Sequence, residues 1–456
     1  MLIRNAHIVN AFDEKQADIL IRGRRIAKIG KNLPTEDMDV SAVIDASGML
    51  VFPGGIDPHV HMHLPTAAGF SSDDFVSGSR AALMGGTTTM IDFVTPRRGM
   101  SLTEALRLRI DEAAGCLIDH SFHVSPVEWT PDTALQIRQC IAAGFPSFKL
   151  YMAYKDAIGI DDGVMEKVMQ TLADAGGMAT AHCETGDEVD RLRDSLFASG
   201  HPEPSSHPLS RPPHAESDAV AKAIAIAEKT ASPLYIVHVS SAGSIEHIRK
   251  AKEKGLPVMA EVCPHHLLLD ESSYKASFED AAPFVMSPPL RSEPHRKALW
   301  DALQTGIIDA TGTDHCPFLM SQKEHGRADF RKIANGAGGV EHRLSLLYTF
   351  GVRAGIISLQ QFVEVCSSGA AKIFGLYPQK GLIAEGSDAD LVIWDPNAEE
   401  TISVKTHHQN SDMNIYEGIR VYGKPVFVIA GGKTAVSHGC LNEGLRGELL
   451  RRPLIQ

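Results

Sequence analysis

The chain has 456 residues, 43% of them apolar, and a formal net charge of −12. That is material for one large domain plus a smaller one, and without a Lys/Arg block to track a phosphate backbone it argues against nucleic-acid binding. A run of about 20 uninterrupted apolar residues is missing, so a membrane span is not expected. The seven cysteines are widely spread and form neither a disulfide framework nor a CxxC zinc pair. Arg4, Asn5 and His7 interrupt the apolar pattern at the start, unlike a signal peptide, and a soluble cytoplasmic protein is the expectation.

The first 50 residues read as short strands, in L-I-R-N-A-H-I-V, D-I-L-I-R-G-R-R-I-A-K-I-G and S-A-V-I-D-A-S-G-M-L-V-F. Their alternation and Gly/Asn/Asp punctuation predict a β meander. The middle alternates instead. Apolar strand candidates at 56–61, 87–93, 120–125, 147–152, 178–183, 234–239, 258–263 and 308–313 are separated by helical patterns such as 218–229 and 244–254. This order predicts an α/β fold, a (β/α)8 TIM barrel with insertions. The last 75 residues return to strands, with D-A-D-L-V-I-W-D and V-Y-G-K-P-V-F-V-I-A-G-G. Both ends together are expected to build a small β-sandwich domain, residues 1–52 plus 378–456 including a C-terminal tail, beside a barrel of residues 53–377. A doubly wound sheet would need a nucleotide fingerprint after its first strand. A-G-G-K-T at 430–434 has Phe427 where a phosphate loop needs its first glycine.

Ligand-capable residues stand at the C-terminal ends of the strand candidates. His59 and His61 lie on the first, Lys149 on the fourth, His182 on the fifth, His238 on the sixth, and Asp314 follows the eighth. In a parallel barrel these ends converge on the face where active sites of this fold sit. Residues i and i+2 of a strand point to the same side, so both imidazoles of His59-Val60-His61 can reach one ion. Imidazole and carboxylate suit zinc and neighbouring first-row ions. Each residue alone has an ordinary explanation: His182 and His238 as hydrogen-bonded strand ends, Asp314 as a turn cap, Lys149 snorkelling out of an apolar strand. The barrel order of all six favours a metal site.

Six segments carry a resemblance across essentially the whole chain: P-G-G-I-D-P-H-V-H, G-G-T-T-T, S-F-K-L-Y-M-A-Y, L-Y-I-V-H-V-S, A-T-G-T-D-H-C-P-F and K-G-L-I-A-E-G-S-D-A-D-L-V-I-W-D. They resemble the cyclic amidohydrolases of the amidohydrolase superfamily, in particular the dihydropyrimidinase/D-hydantoinase branch. The resemblance implies that Lys149 is carboxylated by CO2 and bridges two divalent ions, with zinc expected. His59 and His61 would hold one ion with Asp314, and His182 and His238 the other. Asp314 would be the general base of a metal-activated water, and Tyr154, five residues after Lys149, would stabilise the oxyanion.

The same resemblance implies a small cyclic amide as substrate: 5,6-dihydropyrimidines or 5-substituted hydantoins, opened to N-carbamoyl amino acids. Main-chain groups around Ser287, in F-V-M-S-P-P-L-R, and Asn335, in K-I-A-N-G-A-G-G-V-E-H-R, would hold the imide. Both segments are also plain turn chemistry. Loops at 62–72 and 152–162 would enclose the exocyclic group, with Leu64 and Phe70 favouring an apolar substituent and His63 facing the pocket or its rim. His63 and Ala337-Gly338 depart from the common pattern of hydantoinases. Dihydroorotase activity is disfavoured because His63 stands where that activity needs an arginine, whereas allantoinase stays open because C-P-H-H-L at 263–267 is shared with it. Non-catalytic structural relatives lack several of the six positions that this chain retains. The family commonly forms dimers or tetramers, so a homo-oligomer is expected.

Overall fold

The computed structural model describes residues 1–34, 43–155, 157–442 and 444–455. Eight parallel strands follow one another in a single sheet: Gly55–Val60, Thr87–Val94, Asp119–Val124, Ser147–Tyr151, Met178–His182, Leu234–Ile236, Val258–Val262 and Ala310–Thr311. They coincide with the eight expected runs. Both faces of such strands are covered, which is why they read as continuous apolar runs; every residue of Thr87–Val94 is buried.

The seam between the first and last strands closes the barrel. Val60 bridges to His315 in parallel. The buried guanidinium of Arg343 donates to Ile56 O at 2.8 Å and to Thr311 O at 2.6 Å, and Thr313 Oγ1 donates to Asp57 at 2.6 Å. The helices outside are amphipathic. Asp162–Ala175, for example, buries Met165, Val168, Met169 and Leu172, starts where Asp161 accepts from Val164 N, and stops at Gly176 with φ 73°.

Strands from both ends of the chain form the second sheet. Leu2–Val9 pairs antiparallel with Glu14–Arg22 and parallel with Val43–Asp45 and Leu50–Pro53, and Leu50–Pro53 pairs antiparallel with Leu391–Thr401. The expected meander is therefore only partly formed. Leu2–Val9 takes neighbours on both sides, so the chain must cross over before it can return in parallel. The second predicted run divides at a hairpin into Glu14–Arg22 and Arg25–Gly30, and Ser41 and Ala42 of the third lie outside the described residues. A-G-G-K-T is the tight turn between Arg420–Ala430 and Lys433–Ser437.

The end of the chain crosses back to the N-terminal end of the barrel. His120 N donates to Glu448 O at 3.0 Å and Leu450 N to His120 O at 2.7 Å. The buried Arg452 guanidinium donates to Ser121 Oγ at 3.0 Å, Phe122 O at 2.6 Å and Ser147 Oγ at 2.7 Å, two residues before Lys149. Among the described residues, no helix is long and apolar enough to cross a membrane.

Candidate metal centre

At the C-terminal end of the barrel, His59 Nε2 and His61 Nε2 lie 3.3 Å apart. Asp314 Oδ1 is 3.2 Å from the first and 3.1 Å from the second. Opposite them, His182 Nδ1 faces His238 Nε2 at 3.0 Å. Lys149 is 1% exposed and reaches the same space, with its ammonium 4.7 Å from the Phe93 ring centre.

Carboxylates set the proton positions of these rings. A carboxylate only accepts, so the ring nitrogen facing it carries the hydrogen and the other presents a lone pair. His59 Nδ1 donates to Glu261, which also accepts from Tyr235 Oη at 2.9 Å and His238 N at 3.1 Å. His182 Nε2 donates to Glu184 at 2.7 Å, and Arg211 neutralises that carboxylate. His182 Nδ1 is thus left as a lone pair pointing at His238 Nε2, and His59 meets a carboxylate at both nitrogens, Glu261 at Nδ1 and Asp314 at Nε2.

Such an arrangement fits a cation. Tetrahedral ligands with bonds of about 2.0 Å sit about 3.3 Å from one another, and the separations among His59, His61 and Asp314 match that. Four imidazoles, a carboxylate and a lysine form a donor set for two divalent ions.

Titration points the same way. Burial disfavours charge on His182 and His238 and holds both below the ordinary range, so they stay neutral. Burial would raise Asp314, but His59 and His61 outweigh it and keep the carboxyl well below the usual range. Lys149 is pushed by burial to about 8, against the opposing pull of Asp314 and Glu261.

Backbone strain collects here. Of eight described non-glycine residues with positive φ, four are His63, Tyr154, His238 and Asp314. The left-handed turn at Asp314, φ 50°, follows Gly312, where a Cβ would come 2.7 Å from Glu261 and 2.9 Å from His59 Cβ.

His61, Lys149, His182, His238 and Asp314 line a cavity of about 920 Å³ together with Tyr154, Ser287, Asn335 and Leu64. Ser287 Oγ donates to Asn335 Oδ1 at 3.1 Å, joining the two segments expected to hold the imide. C-P-H-H-L forms the short helix Pro264–Leu268, and His266 Nε2 donates to Pro288 O at 3.0 Å behind Ser287. Tyr154 lies with its ring 5.3 Å from that of His182, and burial raises its phenol.

Two expectations change. His63 and Phe70 do not line this cavity. They stack on each other at 4.0 Å, and His63 Nδ1 pairs with Glu112 at 2.6 Å. The backbone at His63 is left-handed, φ 48°, and the loop's apolar contribution to the cavity comes from Leu64, Pro65, Ala67 and Ala68. In the loop at 152–162, Ala157 and Ile158 reach the cavity, and Asp156 lies outside the described residues.

Sequence reasoning missed Glu261 and Glu184, which orient the histidines, and Arg97 and Arg98 at the cavity wall. Glu184 had a usable signal, an acid two places beyond His182. Glu261 had a weaker one, the single acid of an otherwise apolar strand. A second acidic cluster, Asp119 with Asp388 and Asp390, is of another kind. Lys380 Nζ sits among the three at 2.7, 3.1 and 2.5 Å, so an ammonium already occupies its centre.

A sequence model of the amidohydrolase family matches residues 50–435. The chain belongs to that family. Within it, the relatives place this amidohydrolase in the dihydropyrimidinase/D-hydantoinase branch. It is 44% identical over 438 residues to a D-hydantoinase of Geobacillus stearothermophilus, covering 95% of this chain and 92% of the relative. It is 41% identical over 448 residues to a dihydropyrimidinase of Rattus norvegicus, covering 96% and 86%. The crystal structure of a dihydropyrimidinase from Brevibacillus agri superimposes with a TM-score of 0.97 at 40% identity, covering 100% of this amidohydrolase and 99% of that chain.

Proposed function

We propose that this protein hydrolyses the cyclic amide of 5,6-dihydropyrimidines and 5-substituted hydantoins, giving N-carbamoyl amino acids. The observation that carries the reading is the meeting of His59, His61 and Asp314 at mutual distances of 3.1 to 3.3 Å opposite the His182–His238 pair. Relatives named D-hydantoinase and dihydropyrimidinase support the substrate class. On this reading residues 53–377 are the catalytic unit, and residues 1–52 with 378–456 buttress it.

Two divalent ions, zinc in our reading, supply an acidified water and polarise the amide oxygen when bound. His59, His61 and Asp314 would hold one, and His182 and His238 the other. Lys149 would serve as a ligand in the form of its carbamate. Its neutral amine attacks the carbon of CO2, a nitrogen-bound proton leaves to solvent, and a two-oxygen anion replaces an ammonium that would repel the ions. A buried amine pushed to about 8 supports this, because a useful fraction is neutral near physiological pH.

Asp314 takes the proton of the attacking water and passes it to the leaving ring nitrogen. The Tyr154 phenol donates to the amide oxygen as negative charge develops there; burial keeps that proton on the oxygen. Main-chain groups beside Ser287 and Asn335 hold the rest of the imide, and Leu64 faces the exocyclic substituent.

The test is ring opening of dihydrouracil, a 5-substituted hydantoin and allantoin, side by side, by zinc-loaded protein. Turnover of the first two but not the third is expected. Turnover of allantoin alone would keep the metals and overturn the substrate, and no turnover of any would point to a non-catalytic relative.

A further inference from the structure

Lys323 ends the short helix Met320–Lys323 and is 0% exposed. Neither of its hydrogen-bond partners is a carboxylate. Its ammonium donates to Val285 O at 3.0 Å and to Gly336 O at 2.8 Å. A buried cation without a counter-charge is costly, and burial pushes this one down to about 7, against the opposing pull of Cys316. A methionine would fill the space without that cost; what the lysine adds is the pair of hydrogen bonds to the two carbonyls.

Each carbonyl belongs to a segment of the cavity wall. Val285 lies two residues before Ser287, and Gly336 follows Asn335. The segments also bond directly: Gly336 N donates to Val285 O at 3.0 Å, and Ser287 Oγ to Asn335 Oδ1 at 3.1 Å. On its other side the 335–337 segment is tied to the residues after Asp314, where Cys316 N donates to Ala337 O at 2.9 Å. Gly336 has no room to adjust. Its φ is +140°, and a Cβ there would come 2.4 Å from Cys316 O. Lys323 therefore sits where both imide-holding segments and the Asp314 loop come together.

We propose that Lys323 is a positioning residue for substrate: it clamps the Ser287 and Asn335 segments at the spacing that lets their main-chain groups hold the cyclic imide. The proposal rests on the reading of the site given above. Lys323 touches neither the metal ligands nor the reacting atoms, so its loss acts on substrate affinity and spares the chemical step.

Two variants test it, in the metal-loaded full-length protein. Lys323→Met keeps the volume and removes the donors, and Lys323→Gln, one bond shorter, cannot span both carbonyls. Turnover of dihydrouracil and of a 5-substituted hydantoin is measured first in the parent; absence of turnover there overturns the assigned activity and not the clamp. With an active parent, KM is expected to rise at least tenfold for both substrates in Lys323→Met. There kcat should stay within about threefold and two ions should remain per chain. Lys323→Gln should show a smaller rise in KM. A folded, metal-replete variant with parental KM overturns the proposal, as does a joint fall of kcat and metal content. Failure of both variants to fold also overturns it, in favour of a purely structural lysine.

Discussion

His182 and Glu184 stand two residues apart and are joined by a 2.7 Å hydrogen bond from Nε2 to the carboxylate, which leaves His182 Nδ1 turned toward His238 Nε2. The bond fixes both the tautomer and the tilt of the ring. Glu184→Gln removes the charge that holds the Nε2 proton and leaves Arg211 without its partner. Affinity for the ion on the His182–His238 side should fall about 10–100-fold, with the other ion retained longer. Competition with a chelator, followed by metal content, checks this; equal loss of both ions would refute the assignment of Glu184 to one side.

Lys149 gives a pH dependence with a definite sign. Its ammonium is pushed to about 8 from an ordinary 10.5. In metal-free protein the neutral amine then rises from about one-tenth at pH 7 to about nine-tenths at pH 9. At constant dissolved CO2, the rate of reactivation by CO2 and zinc should rise about tenfold over that span and level off above it. A rate still climbing in proportion to hydroxide beyond pH 9 would mean an ordinary lysine. Lys149→Ala should lose ions and activity together, with partial rescue by short carboxylic acids.

Asp314 contacts both His59 and His61 and lines the cavity. Asp314→Asn removes the group proposed to carry the proton, and turnover should fall by about 10³-fold or more while substrate still binds. Kinetics combined with calorimetric titration of substrate would separate the two. Substantial turnover in this variant removes Asp314 from proton transfer.

Tyr154 is half-buried, with the Arg211 guanidinium 5.3 Å above its ring. Tyr154→Phe keeps the ring and takes only the phenolic donor. A loss of about 10²–10³ in kcat is expected, with metal content unchanged. A parental kcat would show that the hydroxyl does not meet the developing oxyanion.

Lys380 is ringed by Asp119, Asp388 and Asp390, where the barrel meets the sheet from both chain ends. Lys380→Met leaves those carboxylates without their ammonium and should destabilise by about 3–5 kcal/mol, seen as a lower melting temperature. The deficit should shrink as pH falls from 8 to 5, because protonation relieves the unpaired charges; burial already raises Asp390 despite Lys380. Content of the two ions at His59 and His182 should not change.

The residue order alone determined the barrel, because parallel strands buried on both faces leave continuous apolar runs that pattern reading detects directly. It also indicated the six ligand candidates, since each lies on or just after a barrel strand and the fold gathers the C-terminal ends of those strands on one face. Three things were decided only in three dimensions. Glu261 meets His59 across 202 positions of sequence, and no local spacing encodes such a contact. His63 was expected at the pocket or its rim from its place in the loop at 62–72, but with φ 48° it sets its ring against Phe70 and Glu112. Lys323 drew no notice in the sequence, and its burial against Val285 O and Gly336 O depends on two distant segments arriving at the same point. Periodicity reports which face of an element is buried; which atoms then meet inside depends on how the elements are packed together.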